Sequence, residues 1–294
     1  MTAVTVVIPS FRGGALLREA VASVQAQSLT DWELIIVLDG CEDDLSDIES
    51  TDQRVRVIRQ RNRGASIARN VGVSHARSTF IALLDDDDLM SPERLRLQTE
   101  AMTDESIGVS HTQYCFIDEH GAVIGEGDAR EYQYIDFLRG DGGMCPGSAM
   151  FRRDLFHAVG GFNSLLTLGE DLDLIYRLAR ESTVRFVPET LYQYRRHGSN
   201  VWLGTNLGSE ECRMIFEQHL VAAKARGETA SVKAIRRGMS LIPSDRVAKA
   251  VGRANAARKR HDYAAMLVAF ATAFLMSPAF TLRAARRMIS NVSR

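Results

Sequence analysis

Four consecutive aspartates, Asp85 to Asp88, directly follow the apolar run Phe80-Ile81-Ala82-Leu83-Leu84. Adjacent anions repel, so a strand ending on them is unfavourable unless a cation binds, and hard ions such as Mg²⁺ or Mn²⁺ prefer oxygen ligands of this kind. One or two of these carboxylates can hold a metal while a diphosphate supplies further oxygens. An acidic turn before a helix start is the plainer use of the same residues. Glu170-Asp171 is a second acidic site, where a carboxylate can act as general base towards a hydroxyl within reach. The helix dipole alone would also explain acids at that position. Asp39, in the turn dipeptide Asp39-Gly40, can accept a hydrogen bond from a nucleobase N–H. Arg63 in Asn62-Arg63-Gly64 and Arg69 in Ala68-Arg69-Asn70 offer guanidinium groups for stacking or phosphate oxygens. His197, in Tyr194-Arg195-Arg196-His197, can ligate a metal through a neutral imidazole.

The elements that must position these residues follow from hydrophobic spacing. Val4 to Ile8, Leu34 to Leu38, Val55 to Ile58 and Thr79 to Leu84 are continuous apolar runs expected as buried strands. Between them, Leu17, Val21 and Val24 recur at helical spacing, and Ser66 to Ala76 is expected as a helix with Ile67 and Val71 inward. Pro92 is expected to open a further helix. This rhythm predicts an α/β fold with a mainly parallel sheet and helices on both faces. In such sheets ligands gather beyond the carboxyl ends of the strands, so Pro9 to Arg12, Asp39 and Asp85 to Asp88 should share one rim.

From Ile107 to about Asn206 the pattern is less regular. Asp141 to Gly147 reads as a mobile loop able to close over a ligand. Leu172, Leu174, Ile175 and Leu178 form the expected buried face of a helix with Glu170 and Asp171 in its first turn, and Val184 to Val187 is one more expected strand. From Ser209 onward only helical patterns occur.

The formal net charge of -1 gives no reason to expect a nucleic-acid partner. Cys41, Cys115, Cys145 and Cys212 form no Cys-x-x-Cys pair, which argues against a zinc or redox motif and fits a reduced, cytoplasmic setting. No secretory signal is visible at the N-terminus.

Taken together, these pieces resemble the inverting family 2 glycosyltransferases of the GT-A fold. The matching residues are Val7-Ile8-Pro9-Ser10-Phe11, Val37-Leu38-Asp39-Gly40, Asn62-x-Gly64-x-Ser66-x-Ala68-Arg69-Asn70 and Leu84-Asp85-Asp86-Asp87-Asp88 with Pro92. Gly160-Gly161-Phe162, Gly169-Glu170-Asp171-Leu172-Asp173 and Tyr194-Arg195-Arg196-His197 follow. The chain departs at Leu38, where many relatives carry a first aspartate. The resemblance implies a nucleotide-diphosphate sugar donor, a UDP-sugar favoured, and a divalent metal, Mn²⁺ or Mg²⁺. It implies donor contacts from Pro9, Ser10, Phe11, Asp39, Arg63, Arg69, Asp85 and Asp86, and metal ligation by Asp85 and Asp87 of the Asp-x-Asp motif with His197. Asp171 matches the catalytic base beside Glu170, leaving Asp88 chiefly to the following helix start. Residues 1–205 would be the GT-A catalytic domain, divided into a nucleotide-sugar-binding part (1–104) and an acceptor-side part (105–205), with 206–294 a helical extension. The expected role is synthesis of cell-surface polysaccharide or glycolipid on a saccharide or lipid-linked acceptor. A sugar-phosphate nucleotidyltransferase and a non-catalytic nucleotide-sugar-binding protein are the alternatives. The segment Pro9-Ser10-Phe11-Arg12-Gly13-Gly14 is unlike the longer triphosphate loop of the first, and Asp171 is superfluous to the second.

The tail is locally basic: from Arg246 to Arg294 there are ten Lys or Arg residues and one acid, Asp262. Tyr263 to Met276 is apolar nearly all round, too short to cross a bilayer, and flanked by Arg258-Lys259-Arg260, Arg283 and Arg286-Arg287. A helix of that kind is usually packed into a protein core. The other reading is peripheral contact with an anionic membrane, at its inner face.

Overall fold

The structure, a computed structural model, describes residues 2–141, 144–166, 168–197, 209–242 and 262–276, with Ala250, Arg253, Ala254 and Ala257. The chain divides into two units, Met1–Phe137 with Asp141–Gly198, and Leu138–Gly140 with Ser199–Arg294.

The first unit begins with β1 (Val4–Ser10), α1 (Gly14–Gln25), β2 (Trp32–Asp39), α2 (Ser46–Thr51), β3 (Val55–Gln60), α3 (Ala65–Ser74) and β4 (Phe80–Leu83). These strands are parallel and lie in the order β3-β2-β1-β4. Side chains alternate between faces along a strand. Val4, Val6 and Ile8 therefore join Leu34, Ile36, Leu17, Val21 and Val24 in one buried cluster, while Val7 and Val37 face α3 on the other side. The turned-in face of α3 is Ser66, Ala68, Gly72 and Val73, whereas Ile67 and Val71, expected inward, are only partly buried. A Cβ on Gly72 would lie 2.4 Å from Val7 Cγ1, so small residues let the helix backbone press onto the sheet. Hydrophobic periodicity does not register such a face.

The chain steps outward from β1 to β3 and then returns to the opposite side of β1 for β4. The strand order thus reverses between β1 and β4, the type of switch point at which open α/β sheets bind ligands. Past it come β5 (Leu89–Met90) and α4 (Arg94–Ala101). Pro92 does not open that helix. It lies in the preceding turn, and the Arg94 N–H donates to Ser91 O at 3.0 Å.

The irregular middle is ordered as β6 (Ile107–Ile117), β7 (Val123–Glu126), α5 (Tyr134–Arg139), a 3₁₀ turn (Pro146–Ser148), β8 (Met150–Arg152), α6 (Arg153–Ala158), α7 (Glu170–Glu181) and β9 (Thr183–Arg195). β8 runs antiparallel to β4 and β6, β9 parallel to β6, and β5 antiparallel to β9, extending the sheet to nine strands with β7 pairing off β6. β9 continues well beyond Val187 because the register with β6 jumps from Thr112↔Val187 to Gln113↔Thr190. Pro188 occupies the bulge this creates, the position where a strand tolerates a residue without an N–H. Within the expected loop 141–147, Gly142 and Gly143 lie outside the described residues. Met144, Cys145 and Gly147 are buried, and a Cβ on Gly147 would meet the Tyr192 hydroxyl at 2.1 Å. That half packs against β9.

In the second unit, α8 (Ser209–Ala225) and α9 (Thr229–Leu241) pack together through Phe216 and Gly238, and α10 spans Tyr263–Met276. The large side chains of α10 are not buried: Leu267 is 64% exposed, Val268 68% and Leu275 85%. The basic flanks Arg258, Lys259, Arg260, Arg283, Arg286 and Arg287 lie outside the described residues. Among the described residues, no helix is long and apolar enough to cross a membrane.

Candidate active site

The loop after β4 disperses its like charges by giving each aspartate a different partner. Asp85 Oδ1 accepts from Arg69 Nη2 at 2.7 Å, and Asp86 Oδ2 from the Ser10 hydroxyl at 2.5 Å. Asp87 Oδ2 lies 2.9 Å from His197 Nε2. Asp88 turns into the protein, where it accepts from the Tyr192 hydroxyl at 2.5 Å and the Arg195 backbone N–H at 2.7 Å. It faces β9 and not the start of α4, which corrects the helix-start reading. Loss of hydration, with the neighbouring aspartates, raises the Asp86 carboxyl to about 6. The same causes raise Asp87, partly offset by His197. Asp88 is pushed well above the ordinary carboxylate range, again chiefly by burial.

On the other side of the switch point, Arg69 projects from α3 over the Phe162 ring, 5.4 Å from its centroid. Its fork joins two acidic sites that are far apart in sequence, with Nη1 on Glu170 Oε1 at 3.0 Å and Nη2 on Asp85. Burial alone would lower this guanidinium's pKa, but Asp85 and Glu170 more than offset that and hold it protonated. Asp171 follows Glu170 in the first turn of α7. Desolvation first and the Glu170 charge second raise its carboxyl to about 6, while Arg69 acts in the opposite direction. Asn70, next to Arg69, exchanges two hydrogen bonds with the backbone of Phe162, at 2.8 and 2.9 Å. Gly161 stands at φ 68°, and a Cβ there would come within 2.8 Å of Asn70 Oδ1, so this turn requires glycine.

Asp39 is buried and largely occupied. Oδ1 accepts from Gln60 Nε2 at 2.7 Å and from the Arg63 backbone N–H at 2.8 Å, and Oδ2 accepts from the Gly64 backbone N–H at 2.8 Å. Arg63 therefore contributes its amide here, and Asp39 fixes the 62–64 turn that starts α3. A carboxylate has about four acceptor positions, so one on Oδ2 remains open. Pro9 sits in β1 opposite Val37, Ser10 is buried, and Phe11 stands 56% exposed just past the strand. Ser10, Asp39 and the aspartate loop share the predicted rim.

The residues fit a divalent cation. An oxygen of Asp87 and a nitrogen of His197 converge on one point from the β4 loop and the end of β9, and burial with the Asp85 charge holds the Asp87 carboxyl above its ordinary range. Among the described residues no group of three or more His, Cys, Asp or Glu side chains could hold a metal alone. The remaining ligands would come from substrate oxygens and water, the usual arrangement for Mg²⁺ or Mn²⁺ at phosphates. Sequence reasoning missed Gln60 and Tyr192, and took in Arg195 only as part of a motif. Tyr192 and Arg195 lie beside His197 within Tyr192-Gln193-Tyr194-Arg195-Arg196-His197, but no spacing rule links them to Asp88.

Residues 5–160 match the family described as Glycosyl transferase family 2. A putative teichuronic acid biosynthesis glycosyltransferase, TuaG, of Bacillus subtilis is 35% identical over 126 residues, 41% of this chain and 50% of that protein. An Escherichia coli chondroitin synthase is 28% identical over 205 residues, 67% of this chain and 29% of that protein. An uncharacterized glycosyltransferase of Rickettsia felis is 36% identical over 126 residues, 42% of this chain and 21% of that protein. The matches thus span half or less of these relatives' own lengths. Among solved structures, S. aureus TarS 1-349 in complex with UDP-GlcNAc superposes with a TM-score of 0.66 at 15% identity, over 86% of this chain and 80% of that one. That likeness is one of fold.

Proposed function

The chain belongs to glycosyl transferase family 2, and from that premise we propose that it moves a sugar from a UDP-sugar to an acceptor hydroxyl with inversion, using a divalent cation. Residues 1–205 would form the catalytic domain. The observation that carries this reading is the Arg69 bridge, which brings the aspartate loop of β4 and the Glu170-Asp171 pair of α7 to one place beside the switch point. A nucleotidyltransferase or a simple binding protein would have no use for Asp171 there.

Asp171 is the proposed base. With its carboxyl at about 6, roughly nine-tenths of it is ionised at pH 7. It takes the proton from the acceptor hydroxyl as that oxygen attacks the anomeric carbon opposite the diphosphate. The bond from that carbon to the diphosphate oxygen breaks, and its electron pair leaves with the nucleotide. No covalent enzyme intermediate forms. Asp87 and His197 would hold the cation, which when bound neutralises charge on the departing diphosphate. One imidazole nitrogen among oxygen ligands favours Mn²⁺ over Mg²⁺.

The single open position on Asp39 Oδ2 favours uracil, whose N3–H is one donor between two acceptors. Guanine presents adjacent N–H donors and would need both carboxylate oxygens, but Oδ1 is already taken by Gln60 and Arg63. Phe11 and Pro9 flank the same rim. The relatives named for teichuronic acid biosynthesis and chondroitin synthesis support polysaccharide synthesis, and the proposed role is in cell-surface polysaccharide or glycolipid synthesis on a saccharide or lipid-linked acceptor.

The exposed apolar side chains of α10 support peripheral attachment to the inner face of the cytoplasmic membrane, with the flanking arginines on anionic headgroups. The full chain should co-sediment with phosphatidylglycerol vesicles and not with phosphatidylcholine vesicles, and Leu267→Glu with Val268→Glu should release it. Equal recovery with both lipids removes this part.

For the reaction itself, Asp171→Asn should keep Mn²⁺-dependent UDP binding and lose transfer, whereas Asp87→Ala should lose the metal-dependent binding. Normal transfer by Asp171→Asn would overturn the assignment.

A further inference from the structure

Behind the residues that would face donor and acceptor, a buried set of charged and polar side chains ties α1, the aspartate loop and β9 together. The Arg195 side chain is 1% exposed. Its Nε donates to the Asp87 carbonyl oxygen at 2.8 Å, its Nη1 to Glu119 O at 3.0 Å, and its Nη2 pairs with Glu19 Oε2 at 2.6 Å. Its own backbone N–H is bound by Asp88, whose other oxygen takes the Tyr192 hydroxyl. The Tyr192 ring in turn packs under the buried guanidinium of Arg94, 5.1 Å away, and Arg94 donates to Leu83 O at 3.1 Å and Gly147 O at 2.8 Å.

Fold stability alone is a weak reason for these charges. A buried ion pair is often no better than apolar residues of the same volume, because desolvation offsets attraction. Their placement is more informative. Arg195 grips the main chain of Asp87 and lies two residues before His197. Asp88 is the next residue after Asp87 and grips the main chain of Arg195. The two segments are therefore locked to each other on both sides of the point where Asp87 and His197 meet. Glu19, whose side chain is 51% exposed, orients the Arg195 fork from α1.

We propose that Arg195, Asp88 and Glu19 are positioning residues that fix the Asp87 and His197 pair for a divalent cation, so that cation affinity depends on α1 as well as on the rim. The inference rests on Asp87 and His197 being the ligands. Groups that orient metal ligands typically change affinity 10- to 100-fold when altered.

The test is Mn²⁺ binding to the full chain with UDP bound, followed by loss of the free-ion electron paramagnetic resonance signal against a UDP-only control, with thermal midpoints measured in parallel. Glu19→Gln should weaken Mn²⁺ binding about tenfold with little change in midpoint, because Glu19 is half exposed. Arg195→Lys, which keeps the charge but loses the fork, should weaken it roughly 10- to 100-fold. Asp88→Asn should fall between them. UDP binding in EDTA should be unchanged in Glu19→Gln, separating cation positioning from damage to the donor site. Wild-type Mn²⁺ affinity in both Glu19→Gln and Arg195→Lys would overturn the inference. If Asp87→Ala and His197→Ala lose Mn²⁺ while those two variants keep it, positioning alone has failed. If Asp87→Ala and His197→Ala keep Mn²⁺, the ligand assignment has failed and the inference falls with it.

Discussion

Glu170→Gln and Arg69→Gln should move the ionisation of Asp171 in opposite directions. The Asp171 carboxyl is raised to about 6, with burial the larger cause, Glu170 the next and Arg69 opposing both. An unperturbed aspartate ionises near 3.9. A full charge beside a partly buried carboxyl moves its pKa by roughly 1 to 3, and each such step is about 1.4 kcal/mol. Removing the Glu170 charge should therefore lower the acid limb of the rate by about 1. Removing Arg69 should raise it by at least as much, because its bonds at 3.0 Å to Glu170 and 2.7 Å to Asp85 also keep those two negative charges in check. The assay is UDP release from a UDP-sugar with water as acceptor, at saturating Mn²⁺ and donor, across pH 4.5 to 8.5 in steps of about 0.5. Wild type should lose activity below about 6, Glu170→Gln at lower pH and Arg69→Gln at higher pH. Acid limbs that coincide in all three proteins, or that shift in the same direction, would refute Asp171 as the base.

His197→Ala should weaken Mn²⁺ more than Mg²⁺ and narrow the preference between them, measured by competition in the Mn²⁺ resonance assay. His111 is fully buried between Tyr132 and Phe186, neither ring nitrogen has a hydrogen-bond partner, and burial lowers it to about 4. A histidine depressed in the folded state costs stability as pH falls below its unfolded value near 6.5, so about 2 kcal/mol should be lost by pH 5 relative to pH 8. His111→Phe should abolish that part of the acid sensitivity in urea unfolding, and an unchanged pH dependence would contradict it. Gly161→Ala, at φ 68° and against Asn70, should cost about 1 to 3 kcal/mol, seen as a lower thermal midpoint.

The parallel half of the sheet was legible because strands buried on both faces are continuous Val, Ile and Leu runs, and because their acidic ends share a rim by topology alone. The other half was not. β6 carries Ser110, His111 and Thr112 in its middle, all buried, and β9 is interrupted by the bulge at Pro188, so neither shows a clean apolar period. Within the site, residue types at motif positions singled out Asp85, Asp87, Asp171 and His197 as candidates. Their partnerships were hidden. Arg69 read as a stacking or phosphate contact, with no sign that it joins Asp85 to Glu170. Asp88 looked like a helix start, yet it is a buried anchor for β9. Such pairings depend on which strands meet, and β9 reaches the aspartate loop only through the mixed half of the sheet. The exposed face of α10 was likewise invisible, since an all-apolar sequence reads the same whether buried or bare.

The most direct test is a thermal-shift screen of the full wild-type chain against nucleotide-diphosphate sugars, with Mn²⁺ and with EDTA. A ligand that binds only the native state raises stability by an amount set by its concentration over its dissociation constant, about 2.7 kcal/mol at a hundredfold excess. The account predicts that UDP-sugars raise the midpoint with Mn²⁺, that EDTA abolishes most of the rise, and that GDP-sugars give less. No Mn²⁺-dependent shift with any nucleotide sugar would contradict it.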